Sequence, residues 1–429
     1  MVKEKFLIKG LGGAKKLKGT ISVGGSKNTA LKLLASTILF EDTVNFQNVP
    51  DIADIRKAVE LLQSLGGKCE RTGPNSYSIN TRELKNTILE PSIAKQLRAS
   101  IVFTGPILSR FGKVSFPHPG GDVIGERPID IFLDSLKKMG AKLAEKSEEY
   151  SLSVQGSLKG VTIIFKVVSV TATETMMMAA ILAKGKTILK NAATEPEIKH
   201  LGEFLISCGA KIKGVGTSTI EIEGGKILKA GGKVYRVPPD RIETGSFLIL
   251  GALSANRLEI TNCEPSEVEV PIEILRQSGV NIEVGKNKIT VGGKVKGDRL
   301  KGVSIKTHEY PGFPTDLQAP MVVYLTQAYG ESFVFETIFE GRLLYVDDLN
   351  RMGANILILD QHRIIVKGPT PLKGRELESP DIRAGLAFLI AAVVARGESV
   401  INNVYQIDRG YEKLEKRLRL LGLAIDRVR

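Results

Sequence analysis

Apolar positions along the chain follow three patterns. In Val44-Asn45-Phe46-Gln47-Asn48, in Thr187-Ile188-Leu189-Lys190-Asn191 and in the pair Ile282-Glu283-Val284 and Lys288-Ile289-Thr290-Val291 they alternate with polar ones, as on half-buried strands. The last pair reads as a hairpin. Over 52–65 a second pattern places Ile55, Val59, Leu62 and Leu65 on one stripe of an amphipathic helix. The third is apolar nearly all round, as in Leu248-Ile249-Leu250-Gly251-Ala252-Leu253 and over 386–394, and such a helix has to be buried on every side. Hydrophobic helices are expected over 29–39, 175–183 and 382–395.

These elements recur in one order. Six times a helix pattern runs into glycine and then a short strand: Leu65-Gly66-Gly67-Lys68, Met139-Gly140-Ala141-Lys142, Cys208-Gly209-Ala210-Lys211, Ser278-Gly279-Val280-Asn281, Met352-Gly353-Ala354-Asn355 and Leu421-Gly422-Leu423-Ala424. Successive glycines are 74, 69, 70, 74 and 69 residues apart. Each stands where a helix ends in a left-handed residue, so capping alone accounts for it. The repeating unit is βαβαββ, about 70 residues long, and the fold class is α/β. Three units enclose their three apolar helices with the sheets facing solvent. Six give two lobes with a cleft between them. Breaks at Val23-Gly24-Gly25-Ser26 and Val237-Pro238-Pro239-Asp240 assign 1–23 and 238–429 to one lobe and 24–237 to the other.

Composition narrows the function. Of 429 residues, 42% are hydrophobic and 25% charged, the mix of a globular protein with several domains. No apolar run reaches the roughly 18 residues of a membrane span, and Met1-Val2-Lys3-Glu4-Lys5 leads into a strand-like run with no signal region. Cys69, Cys208 and Cys263 are odd in number and far apart, which fits a reducing cytoplasm and excludes a paired-cysteine metal site. His118, His200, His308 and His362 show no ligand spacing, so no metal is expected. The net charge of +13 is spread through loops and helix faces, and Trp is absent. That distribution favours small polyanionic substrates such as phosphates over nucleic acid.

The candidate chemistry gathers in a few stretches. Pro119-Gly120-Gly121-Asp122-Val123-Ile124-Gly125-Glu126-Arg127-Pro128-Ile129-Asp130 is too rich in glycine and proline for a regular element. With Asp122 at its tip and Arg127 at its far end, the loop 117–130 suits a lid carried by the 24–237 lobe. Gly24-Gly25-Ser26-Lys27-Asn28 follows a strand and opens a helix, where backbone amides and the Lys27 ammonium suit an anion. Gly185-Lys186-Thr187 imitates a P-loop ending, but it follows a helix and position 180 is Ala180. Arg98 stands among apolar residues at the start of a helical run and needs a partner, either a ligand anion or a carboxylate. Asp240, Asp316 and Asp381 each precede a buried helix. For any one of them capping is the simpler explanation; for all three at the mouth of one cleft, a site is.

Ser22-Val23-Gly24-Gly25-Ser26-Lys27-Asn28, Leu97-Arg98-Ala99-Ser100, the loop 119–128, Pro239-Asp240-Arg241-Ile242-Glu243-Thr244-Gly245, Phe313-Pro314-Thr315-Asp316 and Ile407-Asp408-Arg409-Gly410-Tyr411 together resemble the UDP-N-acetylglucosamine enolpyruvyl transferase family, across essentially the whole chain. The resemblance implies a two-lobed inside-out α/β barrel with the active site in the inter-lobe cleft. It implies transfer of the enolpyruvyl group of phosphoenolpyruvate to the 3′-hydroxyl of UDP-N-acetylglucosamine with release of phosphate, the first committed step of peptidoglycan synthesis. It further implies a cytoplasmic monomer that needs no cofactor and binds neither membrane nor nucleic acid. By resemblance Lys27, Asn28, Arg127, Arg342, Arg383 and Arg409 hold phosphoenolpyruvate. Arg98, Arg127, Pro128, Ile129, Asp130, Ile131, Ser169, Val170, Asp316 and Ile338 receive the sugar nucleotide. Asp316 is the base candidate, and Asp122, Asp316, Lys27 and Arg409 are the catalytic set.

The chain also departs from that family. Its lid cysteine is replaced by Asp122, which can serve as an acid only if it keeps its proton against an ordinary carboxyl pKa of about 3.9. The same replacement implies insensitivity to fosfomycin, the epoxide that alkylates the family's cysteine, because a carboxylate is a poorer nucleophile than a thiolate. Phe132 and Gln406 replace frequent histidines, Val167 a lysine found in some relatives and Thr171 a common glycine. Three rivals remain. One is the related shikimate-pathway enolpyruvyl transferase, whose Lys-Ser pair is Lys27-Asn28 here. Another is a non-catalytic or nucleic-acid-binding repeat protein using the basic surface, and a third is a redundant second copy with weak activity.

Overall fold

The computed structural model describes residues 4–122, 124–125, 127–146, 149–292 and 299–429. Met1, Val2 and Lys3 of the N-terminal run, and Val123 and Glu126 of the expected lid, lie outside the described residues. Six small sheets make up the β structure, five of four strands and one of three among the described residues. They are built alike. In the sheet ordered Ile305–Lys306, Gly330–Phe335, Arg363–Gly368, Asn355–Ile358, the first pair is parallel with Ile305 opposite Val334, and the remaining strands are antiparallel. A buried helix joins the parallel pair, and a surface helix leads into the hairpin. The three-stranded sheet (Lys113–Pro117, Glu149–Ser153, Lys142–Lys146) keeps only a trace of its parallel partner, the single bridge from Ile88 to Ser115.

The six buried helices are numbered in chain order: α1, Lys27–Ser36; α2, Thr104–Phe111; α3, Val170–Ile181; α4, Arg241–Ser254; α5, Gln318–Leu325; and α6, Ile382–Val394. Every residue of α5 and α6 is buried, as is α4 from Ile242 onward. Fully burying one Leu, Ile or Phe stabilises by about 1.5–3 kcal/mol, so packing rather than helix propensity holds these segments. The expected helix over 29–39 is α-helical to Ser36 and then tightens into a 3-10 turn, Thr37–Leu39. There the Ser36 and Thr37 hydroxyls bond back to the carbonyls of Leu33 and Leu34 at 2.8 and 2.7 Å, which competes with the helical ladder. All six repeated glycines adopt φ between +96° and +107°, the left-handed conformation that ends the surface helices.

The chain forms two compact units. The terminal unit comprises Met1–Gly24, Asp122–Glu126 and Pro239–Arg429; the central unit comprises Gly25–Gly121 and Arg127–Pro238. Each has its own hydrophobic core. In the terminal unit α4, α5 and α6 pack on one another, with α4 and α6 lying against strands of two sheets. In the central unit α3 packs on α2 and on the 3-10 turn Arg98–Phe103 that precedes it, and α1 packs on the same turn. Pro106, which has no N–H to give, interrupts the ladder where that turn passes into α2.

First strands are exchanged between the units. Leu17–Ser22, the strand before α1, pairs in parallel with Ala255–Thr261, the strand after α4. Val234–Arg236, before α4, pairs in parallel with Val44–Gln47, after α1. Lys5–Lys9 sits between Glu398–Asn402 and Ile425–Val428. An asparagine with positive φ follows the inner strand in four repeats, and its side-chain amide bonds a carbonyl beyond the parallel partner: Asn48 to Val237 at 2.8 Å, Asn191 to Phe165 at 3.1 Å, Asn262 to Val23 at 2.5 Å and Asn403 to Ser379 at 3.0 Å.

Candidate active site

In the terminal unit the three aspartates that precede buried helices part company. Asp240 caps α4, its Oδ1 accepting from the amides of Ile242 (2.8 Å) and Glu243 (3.0 Å). Asp381 caps α6, accepting from Arg383 (2.7 Å) and Ala384 (3.0 Å). Asp316 caps nothing, because a 3-10 turn, Thr315–Leu317, stands between it and α5. Its Oδ1 accepts from Arg342 Nη1 at 3.0 Å and its Oδ2 from Arg383 Nη2 at 2.8 Å. Arg383 also donates to Tyr411 Oη (3.1 Å), which meets Ser246 Oγ at 3.1 Å.

Burial alone would raise the Asp316 pKa, but Arg383 and Arg342 outweigh it and hold the carboxyl well below the usual range. Burial works against the charge of Arg383 as well, and Asp316 reverses that, so its pKa is raised. Burial pushes Tyr411 up to about 12. The result is a fixed carboxylate between two fixed guanidiniums. Ile338 lies close by in the chain of contacts: its amide donates to Glu336 Oε1 (2.9 Å), whose other oxygen accepts from Thr315 Oγ1 (2.9 Å).

Asp122 and Arg409 meet in the same unit. Arg409 Nη1 donates to Asp122 Oδ1 and, at 2.8 Å, to Gln406 Oε1. The carboxyl group that a proton donor must keep protonated therefore faces a guanidinium. The loop tip groups with the terminal unit rather than with its own flanks, since Ile124 is buried and its carbonyl accepts from Gly341 N at 3.0 Å. Arg409 is itself held from behind. It ends the short helix Tyr405–Asp408, and Arg427 grips Asp408 through two contacts of 2.6 and 2.9 Å.

In the central unit Ser26 caps α1, its Oγ accepting from Thr29 N at 3.2 Å. A Cβ on Gly25 would lie 1.7 Å from the Asn48 carbonyl oxygen, so only glycine fits there. Lys27, the first residue of α1, is buried with Nζ 2.7 Å from Asp54 Oδ2, while Asn28 beside it is half-buried. Arg98 donates to the Pro119 carbonyl at 3.4 Å and to that of Arg127. Burial, and then the Arg127 guanidinium, lower its pKa to about 10. Pro128 is exposed, Ile129 buried and Ile131 half-buried against the core, and Asp130 opens the helix Asp130–Lys138. Ser169 caps α3 by accepting from Ala172 N at 3.2 Å, which sets Val170 in its first turn.

The structure thus brings together Asp316, Arg342 and Arg383, then Asp122 and Arg409, then Arg98 and Arg127. Asp54 and the buried pair of Lys32 and Glu174 (3.5 Å) were not anticipated. Both join residues far apart in sequence, and only the charge of Lys32 inside an apolar helix pattern hinted at a partner. Among the described residues no three His, Cys, Asp or Glu side chains are placed to hold a metal, and no helix is long and apolar enough to cross a membrane.

The chain is similar to known proteins over nearly its whole length. The family model described as EPSP synthase (3-phosphoshikimate 1-carboxyvinyltransferase) matches residues 11–418. A UDP-N-acetylglucosamine 1-carboxyvinyltransferase of Escherichia coli O1:K1 / APEC is 41% identical over 426 residues, covering 99% of both chains. Among solved structures, the enolpyruvyl transferase NikO from Streptomyces tendae superposes with a TM-score of 0.88 at 21% identity, over 99% of each chain. An EPSP synthase from Acinetobacter baumannii gives 0.74 at 20% identity, over 99% of this chain and all of the other. These two share the fold. With the family model spanning nearly the whole chain and a full-length relative at 41% identity, the protein belongs to the enolpyruvyl transferase family typified by EPSP synthase.

Proposed function

We propose that the protein transfers the enolpyruvyl group of phosphoenolpyruvate to the 3′-hydroxyl of UDP-N-acetylglucosamine and releases inorganic phosphate. The observation that carries the choice of acceptor is 41% identity across 99% of the chain to proteins named for that reaction. In this reading the enzyme works in the cytoplasm as a monomer, opens peptidoglycan synthesis and so bears on cell shape and division.

The chemistry asks for cations to hold a phosphate and a carboxylate, an acceptor for the hydroxyl proton and a donor for the methylene carbon. Lys27, Asn28, Arg127, Arg342, Arg383 and Arg409 are assigned to phosphoenolpyruvate. Arg98, the segment 127–131, Ser169, Val170, Asp316 and Ile338 are assigned to the sugar nucleotide. The hydroxyl oxygen bonds to C2 of phosphoenolpyruvate while C3 takes a proton. The C–O bond to phosphate then breaks, and C3 gives a proton back. Asp316 accepts the hydroxyl proton. Clamped by two guanidiniums it is a feeble base, and anionic phosphoenolpyruvate, by drawing on Arg342 or Arg383, restores its basicity.

Asp122 is assigned as the acid at C3, in the place of the family's lid cysteine. It follows that fosfomycin does not inactivate the enzyme. The deciding experiment is phosphate release from phosphoenolpyruvate with UDP-N-acetylglucosamine or shikimate 3-phosphate as acceptor, each with and without fosfomycin. Release that requires the sugar nucleotide and ignores the drug is expected. Release only with shikimate 3-phosphate, the second reading that the family model's description favours, would overturn the acceptor. Covalent labelling by the drug at Asp122 would overturn the insensitivity. Wild type and Asp122→Asn with the same pH–rate profile would remove Asp122 from the mechanism.

A further inference from the structure

Among the buried ionisable groups that the mechanism leaves unused is Glu174. It lies in α3, 1% exposed, with Oε1 3.5 Å from Lys32 Nζ in α1. Its Oε2 is buried with no hydrogen-bond partner. Lys32 is itself 7% exposed and stands five residues after Lys27, about 7.5 Å further along α1. Two more acids bear on Glu174, Glu197 in the first turn of the helix Pro196–Ser207 and Glu195, its N-cap; they are 4% and 7% exposed.

Several other charged groups on elements packed against α1 and α3 have partners of their own. Lys27 pairs with Asp54, and His200 Nδ1 meets Thr29 Oγ1 at 3.4 Å. Arg98 and Arg110 bond backbone carbonyls, Asp134 pairs with Lys137, and Lys186 and Lys211 pair with Glu221 and Glu223. Lys32 is the cation that faces Glu174. A carboxyl group with one long ion pair, one unpartnered oxygen and two like-charged neighbours binds a proton far more readily than one in water.

We propose that Glu174 is a titrating positioning residue whose proton sets the charge behind α1, so that an anion held at Lys27 binds more tightly when Glu174 is protonated. This rests on the assignment of phosphoenolpyruvate to Lys27. Ionised Glu174 adds a negative charge on the order of 10 Å from the bound phosphate, a separation at which removing it changes affinity by about three- to tenfold. Burial, countered by Lys32 and reinforced by Glu197 and Glu195, pushes the carboxyl up to about 7, which puts the switch in the neutral range.

The test compares phosphoenolpyruvate binding to wild type and Glu174→Gln by calorimetry between pH 5.5 and 8.5. The ligand's own ionisation cancels in the ratio of the two Kd values. That ratio is expected near one at pH 5.5 and at about three to ten at pH 8.5, with wild type the weaker binder. Difference infrared spectra of the unliganded protein should show a carboxylic-acid band that titrates over the same range and is missing from Glu174→Gln. Lys32→Met, which deletes the offsetting cation, should move that band's midpoint to higher pH. A wild type that binds phosphoenolpyruvate with a ratio flat in pH would overturn the role of Glu174 alone. No binding at any pH would overturn the enolpyruvyl reading and this role with it.

Discussion

Asp316 in the terminal unit, its side chain 24% exposed, and Glu174 in the central unit, its side chain 2% exposed, are carboxyl groups withdrawn from bulk water to different degrees, and their pKa values move in opposite directions. Asp316 receives two guanidiniums at 3.0 and 2.8 Å, one on each oxygen. Glu174 receives one ammonium at 3.5 Å and leaves an oxygen without a partner. An ion pair at such distances is worth roughly 4–6 kcal/mol at an effective dielectric of 20, while enclosing a charge costs several kcal/mol. One long pair does not cover that cost, and two well-directed pairs exceed it. Burial alone therefore says little about the state of a carboxyl group; the number and aim of its cations decide.

The largest break in this comparison is expected from Asp316→Asn, which keeps the shape and removes the proton acceptor. Turnover should fall by about 10²- to 10⁴-fold in the phosphate-release assay with folding retained. A loss of under tenfold would exclude Asp316 as the base.

Stability against pH separates the two groups by sign. Glu174 binds its proton more tightly in the folded state, with a pKa of about 7 against an ordinary 4.5. Its protonated form is the stabilising one, so its contribution is present below about pH 4.5 and is lost as pH rises toward 7, on the order of 3 kcal/mol in all. Asp316, with its pKa depressed, contributes above its ordinary value of 3.8, and that contribution is lost as pH falls below it. Urea unfolding of wild type and Glu174→Gln from pH 4.5 to 8 should show the first slope in wild type only; parallel curves would remove it.

A smaller effect sharpens the point. Lys32→Met should steepen the loss of stability above pH 7, because ionised Glu174 then has no cation at all. Smallest is the solvent-bathed pair of Lys68 and Glu83, 3.0 Å apart and mostly exposed. Glu83→Gln should leave Tm unchanged within error, since water screens such a pair. A clear drop would mean that distance matters more than burial.

The repeat was legible because its causes are local. Helix-ending glycines need a left-handed backbone wherever they stand, and the hairpin Ile282–Val284 with Lys288–Val291 follows from alternation. The helix of 52–65 was equally plain, running from Ala53 to Ser64 with Ile55 and Leu62 fully buried. The pairings were not legible. Asp240, Asp316 and Asp381 occupy matching places in sequence, yet two cap helices and one does not, because of a single 3-10 turn that no periodicity marks. Lys27 read as a cation for a bound anion, while its partner Asp54 lies 27 residues away on another helix. The sequence placed Asp122 and Arg409 in separate stretches, and their contact appears only when the chain is folded.

The strand exchange has a consequence for how the protein is made. The central unit is complete once Pro238 has been synthesised, but Lys5–Lys9 must wait for Glu398–Asn402 and Ile425–Val428, its two neighbours in the sheet. At a translation rate of roughly 5–20 residues per second the wait lasts on the order of 20–80 s. For that time Lys5-Phe6-Leu7-Ile8-Lys9 lacks its two sheet neighbours, and the lysines at its two ends are the kind of charge that keeps an apolar segment from pairing with another nascent chain.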